Sequence, residues 1–370
     1  VPHPGAPEPV AEQADSYQRE IAEGLNEAFD DQRTPEAELD LDSARVVVFS
    51  DHHRGARDGA DDFWRCERAY HAALGYYLES GFELYVLGDV EELWECRPEE
   101  VLEAYPETLA LEAEFHKQGR YRRFWGNHDD QWNRPGEVEK HLHPVFPDLA
   151  VAEALKLEVT SGGERLGLIF LAHGHQGTAD SERYAWFSRL VVRHIWRPIQ
   201  RRLNFPSTSP STDYDLRQRH DAAMFAWAQD HPAKPVLIAG HTHRPVFGTS
   251  RPPKVTKREA ANVVRELEEL RVAADPDPAK LAALRAELEF IEAAARRGGP
   301  PPLPIDPPCY FNTGCCSFGD GDVTGLEIAD SEIRLVRWPN DADEPASKVL
   351  VGEDMRAILD SVTSPARTAP

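Results

Sequence analysis

No apolar run in this 370-residue chain reaches the roughly 18 residues that a bilayer span requires. The opening stretch, VPHPGAPEPVAEQ, lacks the basic region and the apolar region of a secretory leader, and there is no initiator Met. The expected location is the cytoplasm. Cysteine is scarce: five residues, an odd count with no C-x-x-C pair, which argues against a disulfide framework and for a reducing compartment. The adjacent Cys315 and Cys316 read as small apolar packing after a strand rather than as a metal or redox pair. Basic residues are also in short supply, with 41 Lys and Arg against 64 Asp and Glu and a net charge of -23. Such a surface repels nucleic-acid phosphates, so no specific nucleic-acid binding is expected. A small phosphorylated substrate stays open, because bound metal ions invert the local field.

What is present is a series of buried strands. Apolar runs at 45–50 (RVVVFS), 82–88 (FELYVLG) and 121–126 (YRRFWG) alternate with helical patterns at 63–80 and 99–118. That rhythm predicts a largely parallel sheet with crossover helices, an α/β fold. A first helix is predicted over 12–30, with Tyr17, Ile21, Leu25 and Phe29 at four-residue steps. LKLEVT (155–160) and RLGLIFLA (165–172) form a hairpin pattern around Gly162-Gly163, and PVLIAG (235–240) is a further buried strand. YFNTG, VTGLEIA and EIRLVRW follow as strands, with a tight turn at Asp330-Ser331.

Two insertions interrupt this pattern. Residues 178–232 read as a helical cap, with a helix over about 182–197 stopped by Pro198 and six Arg without an acid between Arg183 and Arg202. Residues 254–298 read as a helical hairpin, followed by a Pro-rich strap at 299–308. The expected organisation is an N-terminal extension with one helix (1–43), a main domain (44–350) carrying both insertions, and a C-terminal helix and tail (351–370). The hairpin is expected to mediate self-association. The stretch 183–202 is a candidate for peripheral membrane contact, or else an ordinary amphipathic helix.

Seven side chains with metal-binding chemistry each follow one of the apolar strands: Asp51 and His53 in SDHHRG, Asp89 in LGDVEELW, Asn127 in WGNHDD, His173 in LAHGHQ, and His241 and His243 in AGHTHRP. Groups at the C-terminal ends of strands converge in space even when far apart in sequence. A mixed carboxylate, imidazole and amide set suits Mn, Fe or Zn better than Ca, and the absence of thiolate argues against a closed structural zinc site. Seven ligands are too many for one ion and about right for two ions sharing a carboxylate, an arrangement suited to hydrolysis at phosphorus.

At these residues the chain resembles the calcineurin-like metallophosphoesterase superfamily, over residues 45 to about 336 apart from the insertions. The resemblance implies a four-layer α/β/β/α sandwich with a dinuclear centre at the strand ends. It implies that Asp51, His53 and His243 hold one ion, that Asn127, His173 and His241 hold the other, and that Asp89 bridges them. His128 of GNHD takes the place of the catalytic histidine that stabilises or protonates the leaving oxygen. Where the family orients that histidine with the last Asp of G-D-x-x-D, this chain has Glu92. Arg54, His175 and Arg244 are candidate substrate contacts, guanidinium being suited to bidentate phosphate binding, with salt bridging as the alternative for the two arginines and orientation of His173 as the alternative for His175. His52 is either a supporting or a substrate-facing residue. Asp129 and Asp130 are expected to support the Asn127 loop, and Asn312-Thr313-Gly314 resembles the turn that shapes the floor of the site.

The activity so implied is hydrolysis of a phosphomonoester or phosphodiester of nucleotide or sugar-phosphate type, with two divalent ions, Mn foremost, activating hydroxide. The cap also resembles, distantly, that of the UDP-diacylglucosamine pyrophosphate hydrolases, which makes a lipid-linked nucleotide sugar the alternative substrate. A non-catalytic metal-binding scaffold is the alternative from another class.

Overall fold

Every apolar run read as a strand forms one, and the strands divide between two sheets. The computed structural model describes residues 10–58, 61–177, 214–247, 307–319, 321–340 and 345–363. In chain order the elements begin with α1 (Val10–Asp30), β1 (Glu36–Asp40), β2 (Arg45–Phe49), α2 (Glu67–Glu79), β3 (Glu83–Leu87), α3 (Pro98–Ala104), α4 (Pro106–Lys117), β4 (Tyr121–Phe124) and α5 (Pro135–His141). Then come β5 (Val151–Ala152), β6 (Ala154–Ser161), β7 (Glu164–Ala172), α6 (Tyr214–Asp230), β8 (Val236–Ala239) and β9 (Pro245–Phe247). The chain closes with β10 (Tyr310–Thr313), β11 (Val323–Ala329), β12 (Glu332–Trp338), β13 (Lys348–Asp354) and α7 (Met355–Thr363).

One sheet has the order β13-β12-β11-β2-β3-β4-β5 and the other β1-β6-β7-β8-β10-β9. Strands β2 to β5 are parallel neighbours, as are β7, β8 and β10, so their C-terminal ends lie on common edges. Side chains alternate across each strand. On β2, Val46 and Val48 pack with residues of the second sheet such as Ile169 and Val236, whereas Val47 and Phe49 pack against Tyr70, Ala73 and Tyr77 of α2. Helices α2 and α4 cover the seven-stranded sheet, and α1, α6 and α7 contact strands of the six-stranded one. The result is a mixed α/β sandwich. Full burial of each such Val, Ile or Phe side chain stabilises it by about 1.5–3 kcal/mol.

Several boundaries differ from the sequence reading. The helical stretch 99–118 is two helices: Pro106 lacks an N–H and drives Tyr105 out of the helical region, to φ -125 and ψ 48. The segment 1–43 contains a strand as well as a helix, since β1 pairs in parallel with β6. Helix α1 belongs to the core, because Ile21 and Leu25 are wholly buried and a Cβ on Gly177 (φ 76) would lie 1.9 Å from the Glu20 carbonyl oxygen. The boundary at 350 falls inside β13, and α7 starts at Met355. Residues 214–230, included in the cap segment above, form α6, whose Ala223, Met224, Trp227 and Ala228 are buried in the core. The rest of the cap, including the 182–197 helix and the Arg-rich stretch, lies outside the described residues, as do the 254–298 hairpin and most of the strap. Asp330 and Ser331 make the expected turn with φ of 54 and 63. No helix among the described residues is long and apolar enough to cross a membrane.

Candidate metal centre

The seven candidate ligands sit just past the C-terminal ends of β2, β3, β4, β7 and β8. Five of them occupy the left-handed backbone region: Asp51 (φ 54), His53 (φ 50), Asp89 (φ 49), His241 (φ 68) and His243 (φ 55). Each such non-glycine residue costs of order 1–3 kcal/mol, and strain of this kind persists where surrounding structure over-determines it, above all at functional sites. The surrounding structure here is a backbone zipper. Asp51 N donates to Gly88 O (3.1 Å), His53 N to Asp89 O (3.0 Å), Arg54 N to Val90 O (2.9 Å) and Glu92 N to Arg54 O (2.9 Å). The buried Asp129 carboxylate accepts from the amides of Gly126 (2.6 Å), Val90 (2.9 Å) and Asp89 (3.3 Å), tying the loop after β4 to the loop after β3. Gly126 has to be glycine for proximity, since a Cβ there would lie 2.3 Å from Asp89 Oδ1.

The side chains form three overlapping groups, Asp51-His53-His243, His53-Asp89-His128 and Asp89-His173-His241, each with its ligand atoms within 4.8 Å of one another. His243 Nε2 lies 3.3 Å from Asp51 Oδ1, and His53 Nε2 lies 3.0 Å from His243 Nε2. Asp89 Oδ2 stands between the two halves, 3.2 Å from His173 Nε2 and 3.7 Å from His53 Nε2. His173 donates through its Nδ1–H to the Leu87 carbonyl (2.8 Å), which leaves Nε2 turned toward Asp89. A carbonyl partner makes Nδ1 the protonated nitrogen. Asn127 Oδ1 is buried with no hydrogen-bond partner. A buried amide oxygen left without a partner, together with groups of carboxylates and imidazoles, is a donor set compatible with divalent metal.

The electrostatics agree. Burial pushes the His53 and His173 imidazoles down, but Glu92, Asp89 and Asp51 outweigh it for His53, raising it to about 10, and Asp89 and Asp51 raise His173 to about 9. Burial pushes Asp89 up, yet the facing His173 and His128 hold it well below the usual carboxylate range. Protons on the histidines thus balance the carboxylates. Metal binding displaces such protons and supplies the positive charge in their place.

His128 lies at the rim of this cluster. Its Nδ1 is 2.7 Å from Glu92 Oε2, the same oxygen that lies 3.0 Å from His53 Nδ1, and its backbone N–H donates to Asp89 Oδ1 (2.8 Å). Burial lowers its basicity, but Glu92 and Asp89 raise it more, and the net shift is upward. The sequence reading missed Trp94. Its indole stacks on the His128 ring (4.2 Å between centroids, 14° between planes) while its Nε1–H donates to the Asn127 carbonyl (2.7 Å). The available signal was a tryptophan five residues past Asp89 in a loop, where apolar packing alone does not require one. We expect Trp94→Leu, which loses both the stack and the hydrogen bond, to lower kcat by roughly 10-fold, with Trp94→Phe in between. Steady-state kinetics on one chromogenic phosphoester would check this.

The candidate substrate contacts separate. Arg54 is not one of them: it is 1% exposed, ion-paired to Glu112, and lies 5.1 Å from the Phe63 ring and 5.6 Å from that of Tyr70. Glu112 in turn accepts from Tyr70 and Tyr121 (3.1 Å each), and the neighbouring Glu91 pairs with buried Arg123. These charges form a balanced network beneath the loops. His52 is equally remote, buried against Phe63 and Tyr70 with neither ring nitrogen hydrogen-bonded, and burial keeps it neutral. Arg244 is ion-paired to Asp221 at 2.9 Å. His175 is buried, held neutral with its pKa lowered to about 3 by burial and by His173, and tilted against Trp125. With Trp125 and Asn127 it lines a cleft of about 420 Å³ whose far wall is α1. Asn312 braces the turn carrying His241 and His243 by donating to Gly240 O (2.6 Å). Cys315 and Cys316 are free buried thiols, and burial pushes Cys315 up to about 12.

A buried Asp/His cluster at the strand ends of a mixed α/β sandwich is compatible with a metal-dependent phosphoesterase. The family model for calcineurin-like phosphoesterases matches residues 44–245, more than half of the chain, and the chain belongs to that family. No curated protein matches it.

Proposed function

We propose that this protein is a dinuclear metal-dependent hydrolase of phosphomonoesters or phosphodiesters, with Mn as the preferred metal. The observation that carries the reading is Asp89, a buried carboxylate shared between two Asp/His groups. In this reading Asp51, His53 and His243 hold one ion, Asn127, His173 and His241 hold the other, and Asp89 spans them. Bound there, the ions supply Lewis acidity and a nucleophile at neutral pH. The chain's own residues do the rest. Asp129 and the loop zipper hold the ligand loops in their strained conformations. Glu92 engages Nδ1 of His128, which leaves Nε2 as the nitrogen that gives its proton to the departing alkoxide. Trp94 keeps that ring in plane.

Removing the proton donor should cost roughly 10²–10⁴-fold in kcat. A His128→Ala protein that binds its metals as the parent does and loses that much on an alkyl phosphate, with a smaller loss on p-nitrophenyl phosphate, whose phenolate leaves without a proton, supports the assignment. Retention of full activity by the variant would remove His128 from the chemistry. The five free buried cysteines support a reducing, cytoplasmic setting. The alternative substrate, a lipid-linked nucleotide sugar, depends on the 183–202 segment outside the described residues.

A further inference from the structure

Among the described residues, nothing pairs with the charge of Arg217. It lies in the first turns of α6, half-buried, and its Nε is shielded from solvent with no hydrogen-bond partner. No ion pair to it occurs among the described residues. On its own helix Asp221 is one turn on and therefore on the same face. Asp221 is already occupied: it accepts from Thr242 Oγ1 (3.0 Å) and Tyr310 OH (2.8 Å) and pairs with Arg244 (2.9 Å). Those contacts, and the His220 ring 4.9 Å from that of His241, turn this face of α6 toward the turn bearing His241 and His243. Lying one turn before Asp221 on that face, Arg217 is set on the side of α6 that packs on the turn bearing His241 and His243. A guanidinium stays ionised under all ordinary conditions, and burying part of one without a partner is costly unless an anion completes it.

The other half of the centre has the opposite character. The cleft beside Asn127 is lined by Glu27, Asp31, Asp130 and Glu153, and its one lining arginine, Arg33, is tied to Asp31 by paired hydrogen bonds. Concave walls of one charge sign focus that field on whatever enters. A phosphoryl group is repelled from this end and attracted to the other.

We infer that Arg217 is the phosphoryl-gripping residue of the site, and that the substrate is a phosphomonoester lying with its terminal oxygens toward Arg217 and its alcohol toward the acidic cleft along α1. The inference rests on the phosphoesterase reading and selects within it. A guanidinium fork matches two peripheral oxygens of a dianionic terminal phosphate. A diester would have to place a second alcohol against the charged fork.

The test uses the Mn-loaded full chain, p-nitrophenyl phosphate, bis-p-nitrophenyl phosphate, and inorganic phosphate as a binding probe followed by calorimetry. Arg217→Gln should lower kcat/KM on the monoester by roughly 10- to 100-fold, chiefly through KM, with a loss on the diester at least several-fold smaller. Phosphate affinity should fall by a similar factor, and Arg217→Lys should recover part of both. Equal losses on the two esters, or phosphate binding indifferent to Arg217→Gln, would overturn the inference. If Arg217→Gln fails to fold, Arg217→Lys carries the same comparison. A wild-type protein that cleaves neither ester yet binds phosphate through Arg217 would sink the enzymatic reading and leave the anion site standing. One that binds no phosphate would sink the anion site.

Discussion

Asp89→Asn is expected to fold, to hold fewer metal ions than the parent chain, and to lose roughly 10³-fold or more in kcat/KM. The substitution is nearly isosteric and keeps one oxygen, so the backbone contacts of the loop, which run through Asp129 and the carbonyls of Gly88 and Asp89, survive it. What disappears is the negative charge facing both His173 and His53. Metal-centred charge stabilisation is worth several kcal/mol in the transition state, and each 1.36 kcal/mol is tenfold in rate. Thermal melts separate this loss from misfolding. A ligand that binds only the native state raises the melting temperature. Mn should therefore stabilise the parent markedly and Asp89→Asn much less, while melts of the two in chelator stay close. A variant with parental activity and parental Mn stabilisation would remove Asp89 from the centre.

The second large effect is on stability. Arg54→Met is expected to cost roughly 3–5 kcal/mol, the penalty for leaving a buried charge uncompensated. The stranded group is Glu112, which is wholly buried and keeps only the hydroxyls of Tyr70 and Tyr121. The zipper bonds of Arg54 are made by its backbone and survive the substitution, so the loss falls on the buried pair. The double variant Arg54→Met with Glu112→Gln should recover a substantial part of the loss, since replacing both members of a buried pair is far milder than removing one. Denaturant titration of the three proteins reads this directly. The pair also sets a pH dependence. Burial pushes Glu112 up, but Arg54 outweighs it and the net shift is below the ordinary value of 4.5. A carboxylate depressed in the folded state contributes stability that is complete above its unfolded value and drains as the pH falls through its folded one. The parent should lose this contribution on acidification below about 4.5, and Glu112→Gln should lack that component.

The contrast between these two residues shows what was legible in the sequence. Asp89 could be read because it follows the apolar run Leu84–Leu87 of β3 by one glycine, and a strand end in a parallel sheet points to the site edge. The same holds for Asp51, His173 and His241. Arg54 follows a motif just as closely, but its partner Glu112 is 58 residues away on α4, and only tertiary packing separates a buried pair from a substrate contact. Edge elements were hidden for a related reason. Strand β1, EAELD, has one buried side chain and reads as polar, and β13 leaves Val349 and Leu350 exposed. Helix α6 escaped because buried His220 and Asp221 interrupt its apolar face, and their partners lie on β10 and in the loops after β7 and β8. Trp94 escaped because a stacked indole has no periodicity.

The central claim is a pair of ions sharing Asp89, and the most direct measurement is elemental analysis of the Mn-loaded, desalted chain beside Asp89→Asn. The account predicts about two ions per wild-type chain and fewer in the variant, as two-metal hydrolysis requires. A wild-type chain that retains less than one ion, or an Asp89→Asn chain that still holds two, would contradict it.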